Sequence, residues 1–220
     1  MSLLPAIELE TSTTPDAAVI WLHGLGADGS DFASIVPELH LSADLGIRFI
    51  FPHAPAMPVT VNGGYIMPSW FDILAMGLDR KVNHAQLLAS AAKINQLIDR
   101  ERERGIDSRR IVLAGFSQGG AVAYQVSLSH PQPLGGLLAL STYFATSDSI
   151  SLSEANRALP IELYHGAHDP VVPIALGQRA AQFLEAHGYD LAFRTYPMDH
   201  SVCPQQIAHL AEALRRFLGH

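Results

Sequence analysis

The segment IVLAGFSQGGAVA, residues 111–123, places a serine between a short apolar run and a glycine-rich stretch. The apolar run is typical of a strand that is buried on both faces, and the residues after Gly119 favour a helix. A GxSxG motif between a strand and a helix predicts a sharp turn that exposes the serine hydroxyl at the carboxyl edge of a sheet. Gly115 and Gly119 leave the room that such a turn needs. We therefore predict that Ser117 is a nucleophile and that the backbone N–H of Gln118 is an oxyanion donor.

Short apolar runs and amphipathic segments alternate along the rest of the chain. Six runs are interpreted as strands, at residues 18–22, 47–51, 111–114, 137–140, 161–164 and 191–196. Helical periodicity spans His84 to Arg104 and Pro204 to Phe217, and Gly105 and Gly219 follow where helix C-caps are expected. This alternation predicts one α/β domain over residues 1–220, with a mainly parallel central sheet and helices on both faces.

The composition excludes several classes of function. A formal charge of −7 argues against a nucleic-acid partner, and the chain has no polybasic cluster for an anionic membrane surface. The single cysteine, Cys203, excludes an intramolecular disulfide and is interpreted as a small packing residue. The first residues lack the features of a signal peptide, and no apolar run is long enough to span a membrane. These features predict a cytoplasmic protein without integral membrane association.

Residues 52–81 form an excursion that is rich in proline and glycine and has no strong periodicity. Long loops of this kind are uncommon and often functional. Its bulky residues are predicted to form an acyl-binding surface, for which Met67, Trp70, Leu74 and Met76 are the candidates. The alternative is that these side chains complete the core. An apolar excursion is equally compatible with the interface of a homodimer.

The partners of Ser117 are expected after it in the chain, in the order acid and then histidine. Asp169 follows the apolar run 161–164 and is the candidate acid, although an Asp before Pro is also common in turns. Asp148 is a weaker candidate in a polar loop. His200 lies after the run that ends near Tyr196 and precedes the last amphipathic segment, which is the expected place of the base.

The remaining histidines after Ser117 are interpreted as cap or surface residues. They are His130, His165, His168, His187, His209 and His220. His165 and His168 alone suggest a metal enzyme, but they lack a further ligand set at a recognisable spacing. We therefore predict no metal and no cofactor.

A second oxyanion donor is expected from the segment LHGLGADG, residues 22–29. A glycine-rich turn after the first central strand can present a backbone N–H to the oxyanion, and we assign that of Leu25. A phosphate-binding loop is the competing interpretation. The lysine of a P-loop and the spacing of a dinucleotide fingerprint are both missing.

Five ordered motifs together resemble the phospholipase/carboxylesterase family. They are LHGLG at 22–26, MPSWFD at 67–72, GFSQGG at 115–120, HGAHDPVVP at 165–173 and HSVC at 200–203. The resemblance implies an α/β-hydrolase fold with Ser117, Asp169 and His200 as the triad. It also implies an acyl-binding excursion with Trp70 near the nucleophile. The chain departs from the family pattern at Asp199, where a glycine is usual before the histidine.

The expected activity is that of a serine carboxylesterase, with a small or lipid-like ester as substrate and an acyl-enzyme intermediate. A thioesterase that acts on acylated proteins, or a lysophospholipase, would use the same triad and remains an alternative. A non-catalytic binding module on the same fold is an alternative of another class.

Overall fold

The structure is a computed structural model that describes residues 3–42 and 44–219, so Met1, Ser2, Ala43 and His220 lie outside the described residues. The strands are β1 (Ala6–Glu10), β2 (Ala17–Leu22), β3 (Ile47–Pro52), β4 (Ala56–Val59), β5 (Tyr65–Pro68), β6 (Ile73–Ala75), β7 (Lys81–Val82), β8 (Ile111–Phe116), β9 (Gly136–Leu140), β10 (Ile161–Gly166) and β11 (Leu191–Tyr196). The helices are α1 (Ser30–Ala33), α2 (Ile35–Glu38), α3 (His84–Glu103), α4 (Gln118–Ser129), α5 (Ile174–Ala186) and α6 (Pro204–Leu218).

The main sheet has the order β1-β3-β2-β8-β9-β10-β11. Its neighbouring strands pair in parallel from β3 to β11, and β1 pairs antiparallel with β3. The predicted fold class, an α/β-hydrolase with a mainly parallel sheet, is confirmed. Because the strands β2, β8, β10 and β11 all run the same way, the loops that follow them meet at one edge of the sheet.

Both faces of the sheet are covered, as alternate residues of β2 show. Ala18, Ile20 and Leu22 belong to one buried cluster, which also contains apolar residues of α3, α4 and α5. Ala17, Val19 and Trp21 belong to a second cluster on the opposite face, with residues of α1, α2 and α6. A strand buried on both faces is necessarily apolar along its whole length, which is why β2 has no alternation of polar and apolar residues.

The two long helices end close to the glycines that the sequence predicts as C-caps, and α3 also has a side-chain N-cap. At the start of α3, the Asn83 side chain accepts a hydrogen bond from the N–H of Gln86 at 3.1 Å. Gly105 follows this helix with φ +97°, a left-handed conformation that favours glycine. Gly219 also lies at a helix end, but its φ of −64° is an ordinary value.

The structure corrects the prediction at β1 and in the excursion. β1 was absent from the predicted strands, because its sequence AIELE carries two glutamates that face outward from an edge strand. The excursion 52–81 is not structureless. It contains the antiparallel pairs β4–β5 and β6–β7, and Gly63 and Gly64 turn the first hairpin with φ +66° and +78°. These strands have two to four residues, too few for a periodic pattern to appear.

Candidate active site

Ser117 occupies the turn between β8 and α4 in a strained conformation. Its φ is +53° and its ψ is −119°, a combination that non-glycine residues rarely adopt. A Cβ on Gly115 would lie 2.6 Å from the Gly119 carbonyl oxygen, and one on Gly119 would lie 2.5 Å from the Leu22 carbonyl oxygen. The tight turn predicted from these two glycines is therefore confirmed, and it packs directly against the end of β2.

The backbone of Ser117 is held from the neighbouring strand. Its N–H donates to the carbonyl oxygen of Leu140, the last residue of β9, at 2.9 Å. Its own carbonyl oxygen accepts from the Thr142 hydroxyl at 2.5 Å. These bonds keep the strained residue in place, because relaxing its backbone would break both of them.

Asp169 and His200 are brought together by the loops that follow β10 and β11. The distance from His200 Nδ1 to Asp169 Oδ2 is 2.6 Å. The other carboxylate oxygen of Asp169 accepts from the N–H groups of Val171 and Val172, at 2.8 Å each. Asp169 thus accepts the hydrogen bonds of a turn residue with one oxygen and contacts His200 with the other, as the predicted acid would, and its catalytic role stays a prediction. Gly166 permits the approach of the two loops, since a Cβ there would lie 2.2 Å from the Asp199 carbonyl oxygen.

The environment of Asp169 keeps its carboxylate ionised. Burial acts to raise its pKa, but the hydrogen bond from His200 and the N–H groups of Val172 and Val171 outweigh it, so the pKa lies below its ordinary value of 3.8. A buried carboxylate that is ionised and bonded to Nδ1 orients an imidazole and leaves Nε2 as its free nitrogen.

The aromatic ring of Phe116 places the imidazole beside the nucleophile turn. The centroids of the Phe116 and His200 rings are 4.7 Å apart. Phe116 immediately precedes Ser117, and on its other side it packs on Phe32 at 5.4 Å. The structure therefore gathers all three predicted triad residues at one place on the carboxyl edge of the sheet.

The loop after β2 lies against the same turn. A Cβ on Gly24 would lie 3.6 Å from the Cβ of Ser117, so the peptide between Gly24 and Leu25 borders the nucleophile. Gln118 directly follows Ser117, and because it is the first residue of α4, its N–H has no acceptor within the helix. Both predicted oxyanion donors are thus adjacent to Ser117.

His23 orients that peptide, a role that the sequence reasoning missed. Its Nε2 accepts the N–H of Ala54 at 3.1 Å, so the proton of the neutral ring is on Nδ1, which donates to the Gly24 carbonyl oxygen at 2.7 Å. Burial lowers the pKa of His23, which keeps the ring neutral. Since a trans peptide is planar, holding the Gly24 carbonyl also sets the direction of the Leu25 N–H. The signal in the sequence was a histidine directly after a buried strand.

Trp70 requires a correction, because it does not line the surface of the site. The residue is 0% exposed, its indole N–H donates to the His23 carbonyl oxygen at 2.9 Å, and its backbone N–H donates to the side chain of Gln118 at 2.9 Å. Trp70 therefore lies in the core behind the site, where it holds the His23 carbonyl and the Gln118 side chain in position. For this residue, the alternative that excursion side chains complete the core is the correct one.

The other three candidates for the acyl surface are accessible. Leu74 is 46% exposed and Met76 is 48% exposed. Met67 is half-buried beside the oxyanion loop, where its sulfur would lie 3.6 Å from a Cβ on Gly26. Their contact with an acyl chain stays a prediction.

The buried His165 differs from its interpretation as a cap or surface residue. It is 1% exposed, and its Nε2 lies 2.8 Å from the Val172 carbonyl oxygen. Gly177 of α5 leaves room for the ring, since a Cβ there would lie 2.6 Å from the His165 Nδ1. Its role is to hold the turn that carries Asp169. Cys203 is half-buried and lies just before α6, close to its expected packing role.

The sheet order, the serine turn and the Asp169–His200 pair define an α/β-hydrolase. More narrowly, the chain belongs to the Phospholipase/Carboxylesterase family, whose sequence model matches residues 6–218. The expected family is thereby confirmed, and with it an esterase or thioesterase activity of the serine hydrolase type.

Among the individual relatives and solved structures, some are named acyl-protein thioesterase and others carboxylesterase. Acyl-protein thioesterase 1 of Gibberella zeae is 38% identical over 98% of this chain and 94% of its own. The crystal structure of Zea mays acyl-protein thioesterase 2 has a TM-score of 0.85 at 26% identity, covering 98% of this chain and 99% of that one. The carboxylesterase of Bacillus cereus has a TM-score of 0.80 at 16% identity, covering 98% of this chain and 95% of that one, and shares the fold. No helix in the described part of the chain has both the length and the apolar character to span a membrane.

Proposed function

We propose that this chain is a serine carboxylesterase that hydrolyses small or lipid-like carboxylic esters through an acyl-enzyme. The observation that carries the proposal is the 2.6 Å contact between Asp169 and His200 at the edge where Ser117 occupies its strained turn. A structural Asp–His pair does not require a strained serine beside it, so the combination favours catalysis.

In the proposed mechanism, His200 takes the proton of the Ser117 hydroxyl as its oxygen attacks the ester carbonyl. The carbonyl oxygen becomes an oxyanion that accepts hydrogen bonds from the N–H groups of Leu25 and Gln118. His200 then protonates the leaving alcohol, and the acyl-enzyme forms. In the second half, the same imidazole takes a proton from water as the water oxygen attacks the acyl-enzyme. The imidazolium then returns that proton to the Ser117 oxygen as the acid product leaves. Asp169 stabilises the imidazolium in both halves.

The apolar side chains that the excursion exposes favour a substrate with an acyl chain. Leu74 and Met76 expose apolar side chains, and Met67 borders the oxyanion loop, so an acyl chain can lie on apolar surface beside the reacting carbonyl. This surface is the predicted acyl-binding part of the excursion.

Hydrolysis of acyl thioesters is the second candidate, and the relatives named acyl-protein thioesterase favour it. The same oxyanion donors and the same imidazole serve a thioester, because the tetrahedral intermediate carries its charge on oxygen in both cases. The two candidates differ in the leaving group and therefore in selectivity.

The test compares kcat/KM for matched oxygen esters and thioesters over acyl chains of two to sixteen carbons. We expect a maximum at short or medium oxygen esters, while a rise towards long thioesters would replace the carboxylesterase proposal by the second candidate. Ser117→Ala is the control, and it should abolish both turnover and labelling by a fluorophosphonate. Turnover retained in pure Ser117→Ala would contradict the mechanism itself.

A further inference from the structure

A cavity lies beside the loops that carry the triad candidates, between the segment after β6, the segment after β9 and helix α5. Its volume is about 310 Å³, close to the lower end of the range of about 300–1,000 Å³ for small-molecule sites. Its wall combines apolar and cationic side chains. They include Leu78, Arg80, Tyr143, Phe144, Leu176 and Arg179. We call it the Arg80–Tyr143 cavity.

Arg80 is a half-buried cation whose charge is not balanced by a neighbouring carboxylate. Its Nη2 donates to the Val171 carbonyl oxygen at 2.7 Å, and its guanidinium carbon lies 4.5 Å from the centroid of the Tyr143 ring. Within residues 3–42 and 44–219, Arg80 forms no ion pair, and its buried Nε has no acceptor. Nε is the buried part of this half-buried guanidinium, and because a buried donor without an acceptor is costly, the arrangement favours an acceptor that the ligand-free protein lacks.

Tyr143 adds a second buried donor. The residue is 4% exposed, and its hydroxyl has no hydrogen-bond partner in the described part of the chain. Burial raises the pKa of Tyr143 to about 12, against the opposing effects of the Arg80 charge and of a contact between the hydroxyl and the Arg80 side chain that falls short of normal hydrogen-bond geometry. The hydroxyl therefore keeps its proton at neutral pH and can donate it.

Arg179 stands at the rim, where the carboxylates of the cavity are also found. Its Nη1 donates to the Leu78 carbonyl oxygen at 2.8 Å and lies 4.0 Å from Asp79, which is 99% exposed. Asp148 is exposed as well. Hydrated carboxylates at the rim interact weakly with Arg80, so the interior presents donors while the negative charges face water.

We propose that the Arg80–Tyr143 cavity binds the carboxylate or phosphate group of a small organic anion. The anionic oxygens accept hydrogen bonds from Arg80 Nε and from the Tyr143 hydroxyl, a pattern that suits the geometry of both groups. The carbon chain of the ligand packs on Leu78, Phe144 and Leu176. Most of the accessible lining is polar, but these three side chains offer the carbon chain an apolar contact that inorganic phosphate would leave unused, which favours an organic anion.

The cavity is connected to the catalytic residues on two sides. Arg80 bonds to the carbonyl of Val171, whose N–H donates to Asp169, and Thr142, next to Tyr143, donates to the Ser117 carbonyl. The bound anion is therefore either one end of an ester substrate or a separate ligand. The proposed site goes beyond the proposed esterase function, because Arg80 and Tyr143 can bind an anion whether or not the protein hydrolyses esters.

The first experiment measures the binding of hexyl phosphate and hexanoate by titration calorimetry, with hexan-1-ol as the neutral probe. We expect at least one anion to bind the wild-type protein more than tenfold tighter than the alcohol. Tyr143→Phe and Arg80→Gln should each remove most of that difference. Equal binding of anions and alcohol, or an anion affinity that Tyr143→Phe leaves unchanged, would overturn the proposal.

Two matched variants control for general effects. Tyr189→Phe also removes a buried tyrosine hydroxyl that has no partner in the described residues, but away from the cavity. Arg109→Gln removes an exposed arginine that lies elsewhere. Both should retain the anion affinity. Tyr143→Phe is the deciding variant, because it removes only a hydroxyl that makes no hydrogen bond of normal geometry in the ligand-free protein, so the fold should be retained.

A kinetic experiment separates the two sources of the anion. It compares kcat/KM for the 4-nitrophenyl monoester of pimelic acid, which carries a free carboxylate, with that of its methyl-capped diester. A preference for the free carboxylate that falls in Tyr143→Phe assigns the anion to the substrate. No preference, together with retained hexyl phosphate binding, assigns it to a separate ligand. A protein that binds the anion but hydrolyses neither ester would refute the esterase proposal alone.

Discussion

Replacing His23 by asparagine or glutamine should separate its contribution to catalysis from its contribution to stability. The imidazole donates from Nδ1 to the Gly24 carbonyl and accepts at Nε2 from the Ala54 N–H. The amide nitrogen of Asn lies close to the position of Nδ1 and can keep the bond to Gly24. The longer Gln side chain places an acceptor near the position of Nε2 and can keep the bond to Ala54. Each substitution therefore retains one bond and loses the other.

The expected magnitudes follow from which bond is lost. His23→Gln frees the Gly24 carbonyl, so the Leu25 N–H is no longer aimed at the oxyanion. Complete loss of such a donor costs about 2.7–4 kcal/mol. Because the N–H is still present, we expect a smaller loss, a fall in kcat of about ten- to a hundredfold, or about 1.4–2.7 kcal/mol. His23→Asn leaves the buried Ala54 N–H unpaired, which costs about 1–3 kcal/mol of unfolding free energy, while kcat should stay within about threefold of wild type.

The assay is steady-state hydrolysis of 4-nitrophenyl butyrate, with urea unfolding of the same preparations. His23→Gln should lower kcat with little change in KM, because an oxyanion donor acts in the transition state. The inhibition constant of a boronic acid, which mimics the tetrahedral intermediate, should rise in the same variant and not in His23→Asn. Equal losses of kcat in the two variants would falsify the idea that His23 acts through the Gly24 peptide.

Three further outcomes follow from the described contacts. Asp169→Asn should fold normally and lose about 10⁴-fold in kcat, because the imidazole is left in the wrong tautomer; ester turnover within tenfold of wild type would contradict the role of this acid. Glu101→Gln should lower the unfolding free energy by about 3–5 kcal/mol, since the buried carboxylate binds three arginines, whereas the exposed Glu103→Gln should change it little; urea midpoints compare the two. The pKa values of the buried His23 and His165 are lowered from 6.5 in the folded protein, so the unfolded chain binds more protons below that value. The unfolding free energy should therefore fall as the pH drops below about 6.5, by at most about 1.4 kcal/mol per pH unit for each histidine, and a curve that stays flat down to pH 5 would contradict it.

The sequence predicted the central strands because burial on both faces leaves a plain signal. β2 and β8 are continuously apolar, and the glycines around Ser117 mark the turn that joins β8 to α4. β1 carries no such signal. Its glutamates Glu8 and Glu10 form ion pairs with arginines, among them Arg48 of β3 and Arg104 after α3. These ion pairs provide part of the contact between β1 and the rest of the fold, which apolar side chains provide for the central strands.

The catalytic candidates were found because their order along the chain follows from the topology of the sheet. Ser117, Asp169 and His200 each follow a different parallel strand, and such strands end at the same edge. The residues that were misjudged depend on contacts that no local pattern contains. Trp70 is bulky and lies in a segment rich in proline and glycine, as an exposed loop residue would, yet its indole N–H donates to the carbonyl of His23, directly after β2. His165 is polar and follows the apolar run 161–164, yet it lies within β10, and a glycine on α5 makes room for its ring in the core.

Gln118 shows why the excursion and the nucleophile turn cannot be considered apart. Its backbone N–H is a candidate oxyanion donor, while its side chain accepts from the Trp70 N–H at 2.9 Å and donates to the Phe71 carbonyl at 2.6 Å. The second candidate donor is bound to the same segment, because the N–H of Gly26, next to Leu25, donates to the Pro68 carbonyl at 2.9 Å. Residues 68–71 thus hold both sides of the oxyanion site. Since preorganised donors act only when their positions are maintained, we expect the excursion to contribute to the proposed catalysis through its backbone, in addition to the predicted acyl contacts of its apolar side chains.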